Sequence, residues 1–293
     1  MLTENSVGIA GAGRVARALG RALQDAGLAV GFVASRSREH AQGAADFIGG
    51  GVQAVEYGDL PRHASRFLIA VSDSAIEPVA QMLAAGGATS GSALHTCGAK
   101  GADALQALSD RGVSCGSLHP LQTIPDGPEA AHSLRGISFA FSGEGAAEQW
   151  ALEIVELLHG HVLRIPPQAR VLYHAAAVMA SNYITVLLDS ACQLMAASGV
   201  DEQEALRALE PIARASVENA VRLGTARALT GPIVRGDAAT VAAHRKALSD
   251  WNEGVGHLYE AAGGQALEIA CRRGLDSGQA AQVEAALRGA RNV

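Results

Sequence analysis

A glycine-rich turn near the start of the chain constrains the fold more than any other feature. In residues 7–23, VGIAGAGRVARALGRAL, a short apolar run ends at Gly11 and a helical pattern follows at once. Gly11 permits a tight strand-to-helix turn, Gly13 leaves space for a phosphate, and Ala16 lets the helix pack closely on the strand. This GxGxxA pattern predicts that the N–H groups at the helix start hold a dinucleotide. The alternative is a glycine-rich turn in another kind of α/β protein.

The bulk properties of the chain exclude several classes of function. A net charge of −6 provides no basic surface for nucleic acid, and we expect no nucleic-acid partner. We expect no membrane partner either, because no apolar run reaches the length of a membrane span and the start of the chain does not resemble a secretory signal. The four cysteines form no CxxC pair and no cluster with metal-ligand spacing, so we expect no metal and a cytoplasmic protein with reduced thiols.

The pattern of apolar runs divides the 293 residues into two regions. Strand-like runs alternate with helical patterns in the first region, and this alternation is typical of a mostly parallel sheet. We place strands at 6–10, 29–34, 66–71, 92–96, 112–117 and 137–142, with helices at 14–26, 37–48 and 75–86. Only helical patterns follow Pro166-Pro167: a long, largely buried helix over 168–198, then helices at 201–223, 237–249, 252–271 and 276–289. We predict an α/β Rossmann-type domain at 1–165 and an all-α domain at 166–293.

The end of the second predicted strand indicates which dinucleotide the chain prefers. A carboxylate there would bind the ribose 2′-hydroxyl of NAD, whereas an arginine would accept the 2′-phosphate of NADP. This strand ends in Ser35, Arg36 and Ser37, with no acid before Glu39. A guanidinium between two hydroxyls suits a phosphate and favours NADP. The alternative is an ordinary solvated loop.

A polar segment also follows the third predicted strand, which reads RFLIAV. Val71 and Ser72 stand at the carboxyl edge of the sheet, where doubly wound folds bind their ligands. We include both in the cofactor site. Asp73 could also belong to it, or either Asp73 or Ser74 could cap the next helix.

Two later strands end in histidine motifs, SALHTCGAKG and GVSCGSLHPLQTI. His119, or with less support His95, could donate a proton to a carbonyl or imine as hydride arrives. His95 in the first motif and Gln122 in the second are also candidate substrate ligands. Each histidine could instead bond to the backbone and shape a turn. Cys97 is a weak nucleophile candidate and could equally be a buried thiol.

Polar residues also interrupt the helical region. His174, Ser181, Asn182 and Asp189 lie on the long apolar helix, where they could meet a substrate or form hydrogen bonds within the core. The segment 226–248 breaks at Gly231-Pro232 and turns again before the next helix. In that segment Arg235 could pair with a carboxylate or phosphate, Asp237 could cap the helix, and His244 could be structural.

The segments SRS, AVSD, HTCGA, SLHPLQT, YHAAAVMASNY and ALTGPIVRGD together resemble a family of bacterial proteins that join a Rossmann-like half to a helical domain of unknown function. The resemblance spans nearly the whole chain. The family is similar to pyrroline-5-carboxylate reductase, ketopantoate reductase and the 6-phosphogluconate dehydrogenase group, which work in a cleft between two domains and often dimerise. The resemblance implies NADP binding at Gly11, Gly13, Arg14 and Ser35–Ser37, with a substrate pocket near His119, Asn182, Thr230 and Arg235. To the cofactor site we add Ala12 and Val15.

The chain departs from these relatives in two places. Family members usually carry serine at the position of Cys97. Hydroxyacid dehydrogenases keep a catalytic lysine one turn before an asparagine, but Val178 stands four residues before Asn182, and no lysine lies between residues 101 and 245. The missing lysine disfavours simple hydroxyacid chemistry, whereas a protonated imine needs less assistance.

The sequence therefore predicts an NADP(H)-dependent reductase of a small carbonyl or imine compound, acting in the interdomain cleft. We expect His119 to donate the proton or polarise the carbonyl, with His174 as the next candidate. Asn182 and Arg235 would position the substrate, and the helical region would form a homodimer. The alternative is an NADP-binding sensor or regulatory protein without catalytic activity, which the missing lysine favours.

Overall fold

A computed structural model of the chain describes residues 6–289, so residues 1–5, part of the segment tested for a secretory signal, lie outside it. The described chain forms two compact units that divide after Asn182. The strands are β1 (Val7–Ala10), β2 (Val30–Ala34), β3 (Gln53–Val55), β4 (Arg66–Ile69), β5 (Ser92–His95), β6 (Ser114–Pro120), β7 (Ser138–Gly143) and β8 (His161–Arg164). The helices that accompany them in the first unit are α1 (Arg14–Asp25), α2 (Arg38–Ile48), α3 (Ile76–Ala85), α4 (Gln106–Ser109), α5 (Ala146–Leu157) and α6 (Arg170–Ala180).

The eight strands form one sheet in the order β3-β2-β1-β4-β5-β6-β7-β8. Every neighbouring pair is parallel except β6 and β7, which run antiparallel with His119 opposite Ala140. The expectation of a mostly parallel α/β sheet is confirmed. The sequence did not indicate β3 and β8, and β6 extends through Pro120, three residues beyond its predicted end.

Two apolar layers cover the sheet, one on each face. Val7, Ile9 and Leu94 pack on one face with α1, α2 and α5, whose Trp150 is almost fully buried. Residues that point to the opposite side, such as Ala10 of β1 and Phe67 and Ile69 of β4, pack on the other face with α3. Because both faces of the strands are covered, β1, β2 and β4 are apolar almost throughout, and their ligand-binding groups are left to the strand ends.

The second unit is helical. It contains α7 (Asn182–Ala197), whose first residue ends the first unit, followed by α8 (Glu202–Leu223), α9 (Thr225–Ala228), α10 (Ala238–Trp251), α11 (Glu253–Arg272) and α12 (Ser277–Arg288). A small core centred on Ile233, Val241, Leu267 and Val283 joins α10 to α12. The all-α character that the sequence predicts for this part of the chain is confirmed.

The long helix differs from the prediction in continuity and in burial. It is interrupted at Ser181, which has φ −128° and ψ −76°. Arg170 is the only buried residue of α6, and α7 has none within the described part of the chain. The expectation of a largely buried rod is therefore wrong: its apolar pattern reflects side chains that the described chain leaves exposed. By length and composition alone, the described helical stretch Pro167–Ala197 could cross a membrane, contrary to the expectation from the sequence, although this is weak evidence.

Candidate functional site

The turn between β1 and α1 has the geometry of a phosphate cradle. Gly11 has φ +131°, and a Cβ added there would collide with the carbonyl oxygen of Ala70, so a side chain would strain this turn. A Cβ at Gly13 would meet nothing within 4 Å, which means that its absence leaves open space beside the backbone. Helix α1 has neither a side-chain cap nor an acid in its first turn. Its first N–H groups are thus available to an anion.

A cavity of about 600 Å³ opens beside this turn. Its walls come from the β1 turn, the end of β2 and the segment after β4, which is the arrangement expected for a dinucleotide bound at a switch in strand order. The lining includes every residue proposed for the cofactor except Ser37, namely Gly11, Ala12, Gly13, Arg14, Val15, Ser35, Arg36, Val71 and Ser72. The cavity size and the open space at Gly13 fit a nicotinamide dinucleotide.

One end of the cavity is basic. Arg36 is exposed, and its positive charge opposes the effect of burial, which raises the pKa of the neighbouring Tyr57 phenol. His40 also lines the cavity. Ser37 serves a different purpose, because its hydroxyl accepts a hydrogen bond from the backbone N–H of His40 at 3.3 Å and caps α2. The structure thus leaves Ser35 and Arg36, but not Ser37, on the cavity wall.

Asp73 does not cap α3. Residues Asp73–Ala75 form a short 3-10 helix, and neither Asp73 nor Ser74 bonds to the first turn of α3. The carboxylate instead lies beside Cys97, where it adds to the effect of burial and raises the pKa of that thiol. Cys97 is therefore a protonated, buried thiol, which agrees with the structural interpretation of this residue.

His95 lies at the end of β5 and is fully buried. Its Nδ1 accepts a hydrogen bond from the backbone N–H of Cys97 at 3.2 Å, and its Nε2 lies 2.8 Å from the carbonyl oxygen of Gly101. This pairing requires a neutral ring with its proton on Nε2. Burial lowers the pKa of His95 to about 4. Because both nitrogens are engaged within the protein, the assignment of His95 to substrate binding is corrected: it fixes the loop that follows β5.

His119, one residue before the end of β6, is only half-buried and keeps one nitrogen free. Its Nδ1 lies 2.7 Å from the hydroxyl of Tyr173 on α6, and its Nε2 has no hydrogen-bond partner among residues 6–289. Burial, reinforced by the nearby His174 and Arg170, lowers the pKa of His119 to about 4. The ring is neutral near pH 7, which suits a hydrogen-bond donor better than an imidazolium acid.

His174 stands beside His119, with the two ring centroids 6.0 Å apart and the rings nearly perpendicular. Gly98, in the loop after β5, lies against both rings. A Cβ at Gly98 would lie 2.6 Å from Cδ2 of His174 and 3.1 Å from Nε2 of His119. The missing side chain of Gly98 therefore allows the loop, β6 and α6 to bring the two histidines together.

Two residues that the sequence analysis passed over complete this cluster. Tyr173 is the hydrogen-bond partner of His119. Arg170, one turn earlier on α6, is only 1% exposed, and it donates to the hydroxyl of Ser142 at 3.2 Å and to the carbonyl of Cys97 at 3.4 Å. Its Nε has no partner, and no carboxylate lies within ion-pair distance in the described chain. The one available signal was the i, i+3 spacing of Arg170 and Tyr173, which places them on one helix face.

Other predicted site residues lie outside this cluster. Gln122 follows β6, where its amide nitrogen donates to the carbonyl of Ser133 at 3.3 Å and its oxygen accepts from the backbone N–H of Thr123 at 2.9 Å. These bonds leave little capacity for a substrate. Asn182 begins α7 and is exposed.

The remaining predicted residues belong to the second unit. Thr230 and Arg235 are exposed on the loop between α9 and α10. Asp237 caps α10 as predicted, because its carboxylate accepts from the backbone N–H of Thr240 at 3.0 Å. His244 lies 3.0 Å from the hydroxyl of Tyr259, which supports its structural interpretation. Within residues 6–289, no group of three or more His, Cys, Asp or Glu side chains could hold a metal ion.

Comparison with known proteins finds family matches for two regions of the chain. Residues 2–120 match the Rossmann-like domain, and residues 137–266 match the domain of unknown function DUF2520. A search of curated proteins finds no similar sequence. The second match begins at β7, so this family includes the last two strands of the sheet as well as helices.

Solved structures share the fold over most of their length. Protein TM1727 from Thermotoga maritima is 24% identical, with a TM-score of 0.72 over 91% of this chain and 99% of its own. Pyrroline carboxylate reductase from Plasmodium falciparum, solved with NADP bound, is 14% identical, with a TM-score of 0.60 over 97% of this chain and 100% of its own. Reductive aminase from Aspergillus terreus, in complex with NADPH and ethyl levulinate, is 17% identical, with a TM-score of 0.63 over 96% of this chain and 99% of its own.

These likenesses show that the chain shares its fold with these solved structures. The cavity beside Gly13 has the size and the open backbone that a dinucleotide requires. The expected resemblance to pyrroline-5-carboxylate reductase is confirmed at the level of fold. The chain thus combines a region that matches the Rossmann-like domain with a following region that matches DUF2520.

Proposed function

We propose that this chain is an NADP(H)-dependent reductase that transfers hydride to a small carbonyl or imine compound. The observation that carries the proposal is that the dinucleotide cavity and His119 share the carboxyl edge of one sheet. Gly11 follows β1, Thr96 lines the cavity immediately after β5, and His119 lies near the end of β6 with Nε2 unoccupied. A bound nicotinamide would supply hydride, and the polar groups of the chain would orient and polarise the acceptor.

The preference for NADP over NAD rests on the basic end of the cavity. Arg36 lines it with no carboxylate at the end of β2, so a 2′-phosphate would meet a guanidinium. Ser35 adds a hydroxyl, while Arg14 and Arg17 flank the start of α1. The positive helix end and these cations together favour an anionic cofactor.

The proposed role of His119 is to donate a hydrogen bond from a neutral ring to the carbonyl or imine of the substrate. Such a bond stabilises the negative charge that develops as hydride adds. His174 is the reserve candidate because it lies beside His119. Asn182, Thr230 and Arg235 remain proposed substrate-binding residues.

We further propose that the protein is a homodimer and works in the cytoplasm. Apolar side chains on α7 and α8 are exposed, including Leu187 at 47%, Ile212 at 64% and Val221 at 84%. A second copy that covers such residues would remove apolar area from water. Cys97, Cys115, Cys192 and Cys271 are all free thiols, which suits a reducing compartment.

The test combines cofactor titration with a substrate screen. Fluorescence titration should show tighter binding of NADPH than of NADH. Loss of NADPH absorbance with members of a panel of oxo acids and cyclic imines would support the reductase. Binding of NADPH without turnover of any panel member would favour a sensor, and absence of binding would refute both functions.

A further inference from the structure

The contacts of His119 indicate which of its two ring nitrogens carries the proton. Within the described residues, the hydroxyl of Tyr173 has a single hydrogen-bond partner, Nδ1 of His119 at 2.7 Å. A half-buried phenol needs an acceptor, and a neutral imidazole provides one. If Tyr173 donates to Nδ1, the ring proton of His119 must lie on Nε2. That nitrogen lies beside Gly98, in the loop after β5, and has no hydrogen-bond partner among the described residues.

Arg170 sets the electrostatic environment of this pair. The guanidinium is almost fully buried, and its partners are a neutral hydroxyl and a neutral carbonyl. A buried cation without a carboxylate is unusual, because its desolvation is not offset by an opposite charge. Burial raises the pKa of the Tyr173 phenol, whereas the charge of Arg170 acts in the opposite direction. Arg170 therefore stabilises any negative charge that develops on the phenol oxygen.

We propose that Arg170, Tyr173 and His119 form a proton relay that supplies the proton of the reduction. This inference rests on the proposed reductase function. The carbonyl or imine atom that gains an electron pair takes the proton from Nε2 of His119. Nδ1 takes the proton of Tyr173 as that bond breaks, and the resulting phenolate is stabilised by Arg170. A solvent proton then returns to Nε2, and Nδ1 gives its proton back to the phenolate, which restores the starting tautomer. His119 is the catalytic residue of the relay, while Tyr173 and Arg170 act through it.

The relay also selects a class of substrate. A neutral carbonyl or neutral imine must gain a proton when it is reduced, whereas a permanently cationic iminium needs none. The groups that act on His119 are His174, Arg170, Asp73 and His95, and among them only Asp73 favours a positive charge. Asp73 is exposed to solvent, which weakens its influence, whereas Arg170 is buried. The site is therefore suited to a neutral acceptor.

The first experiment measures the tautomer of His119 without any substrate. Nitrogen NMR of protein labelled in its histidines distinguishes the two neutral tautomers, and comparison with His119→Gln assigns the signal. We expect the proton of His119 on Nε2 in the wild type and a shift of the Nδ1 resonance in Tyr173→Phe. Tyr259→Phe is the matched control, because Tyr259 bonds to His244 instead. A His119 proton on Nδ1 would overturn the relay, whatever activity the protein has.

The second experiment separates the relay from simple packing. Tyr173→Phe should lower the turnover of a neutral carbonyl or imine about 10–100-fold, within the range of general acid–base effects. It should leave the dissociation constant of NADPH and the reduction of an N-methylated cyclic iminium unchanged. Equal loss with both acceptor types would contradict the relay. If none of the tested acceptors led the wild type to oxidise NADPH, the proposed function would fail. The tautomer measurement would still decide the arrangement of Tyr173 and His119.

Discussion

The carboxyl edge of the sheet and the surface of α7 and α8 show opposite relations between residue type and burial. At the sheet edge, polar side chains such as His95 and Arg170 are buried and find partners within one chain. On α7 and α8, apolar side chains such as Leu187 and Val221 are exposed and lack such cover. One chain thus satisfies most of the polar groups that it buries but leaves part of its apolar surface open. The first region is suited to chemistry and the second to association.

The largest expected effect concerns the sheet edge. If His119 donates to the substrate, His119→Ala should lower turnover by about 10²–10⁴-fold, since it removes the group that supplies the proton. NADPH affinity should hardly change, because His119 does not line the cofactor cavity. Steady-state kinetics and fluorescence titration measure the two quantities. His132→Ala, an exposed histidine outside the cluster, is the control. Full activity in His119→Ala would remove this residue from the mechanism and turn attention to His174.

The second effect concerns the pH dependence of stability, which should come from the buried histidines. An unfolded histidine titrates near 6.5, whereas His95 in the folded protein titrates at about 4. The unfolded chain therefore binds more protons between these values, and stability that is complete above pH 6.5 is lost as the pH falls towards 4. The loss from His95 should be about 3 kcal/mol.

Urea unfolding at pH 7 and pH 4.5 measures this difference, and His95→Asn should reduce it because the variant lacks the titrating ring. His132→Asn should retain the full pH dependence, since His132 is exposed. An unchanged pH dependence in His95→Asn would show that this histidine is not the buried neutral group described above.

The third effect concerns the basic end of the cofactor cavity. Arg36→Ala should weaken NADPH binding by about 1.5–3 kcal/mol, the size of a hydrogen bond to a charged group, and leave NADH binding nearly unchanged. Arg38→Ala is the matched control, because Arg38 begins α2 and does not line the cavity. Equal losses for the two cofactors would mean that Arg36 does not contact the 2′-phosphate.

Local patterns predicted most of the sheet, while partners distant in sequence determined most of the site. The apolar runs located six of the eight strands, but β3 has only three residues and β8 is an edge strand with exposed residues, so neither has a strong pattern. Helix α5 was also missed. The antiparallel direction of β7 depends on how the chain returns to the sheet after Pro120. The periodicity of a strand carries no information about whether it runs parallel or antiparallel to its neighbour.

In the candidate site, too, the sequence predicted residues with local roles but not residues whose partners are distant in sequence. Gly11 and Gly13 could be read from spacing, because their task is local. Arg170 could not, since its partners Ser142 and Cys97 lie 28 and 73 residues away in sequence. The sequence favoured His119 over His95 only slightly, because both follow similar apolar runs. The difference between them arises from the contacts of the neighbouring loops, which saturate one ring and leave the other half free.

The smallest effect in numerical terms, a factor of two in mass, tests the apolar side of the comparison. If α7 and α8 meet a second copy, light scattering at micromolar concentration should give twice the 29.9 kDa of one chain. In a two-fold symmetric dimer each substitution occurs twice at one interface, so Val221→Glu should place two carboxylates against apolar surface and yield monomers. Met82→Glu is the control: Met82 is 47% exposed on α3, outside the proposed interface, and its substitution should leave the mass unchanged. A monomeric wild type would show that the exposed side chains of α7 and α8 do not serve self-association.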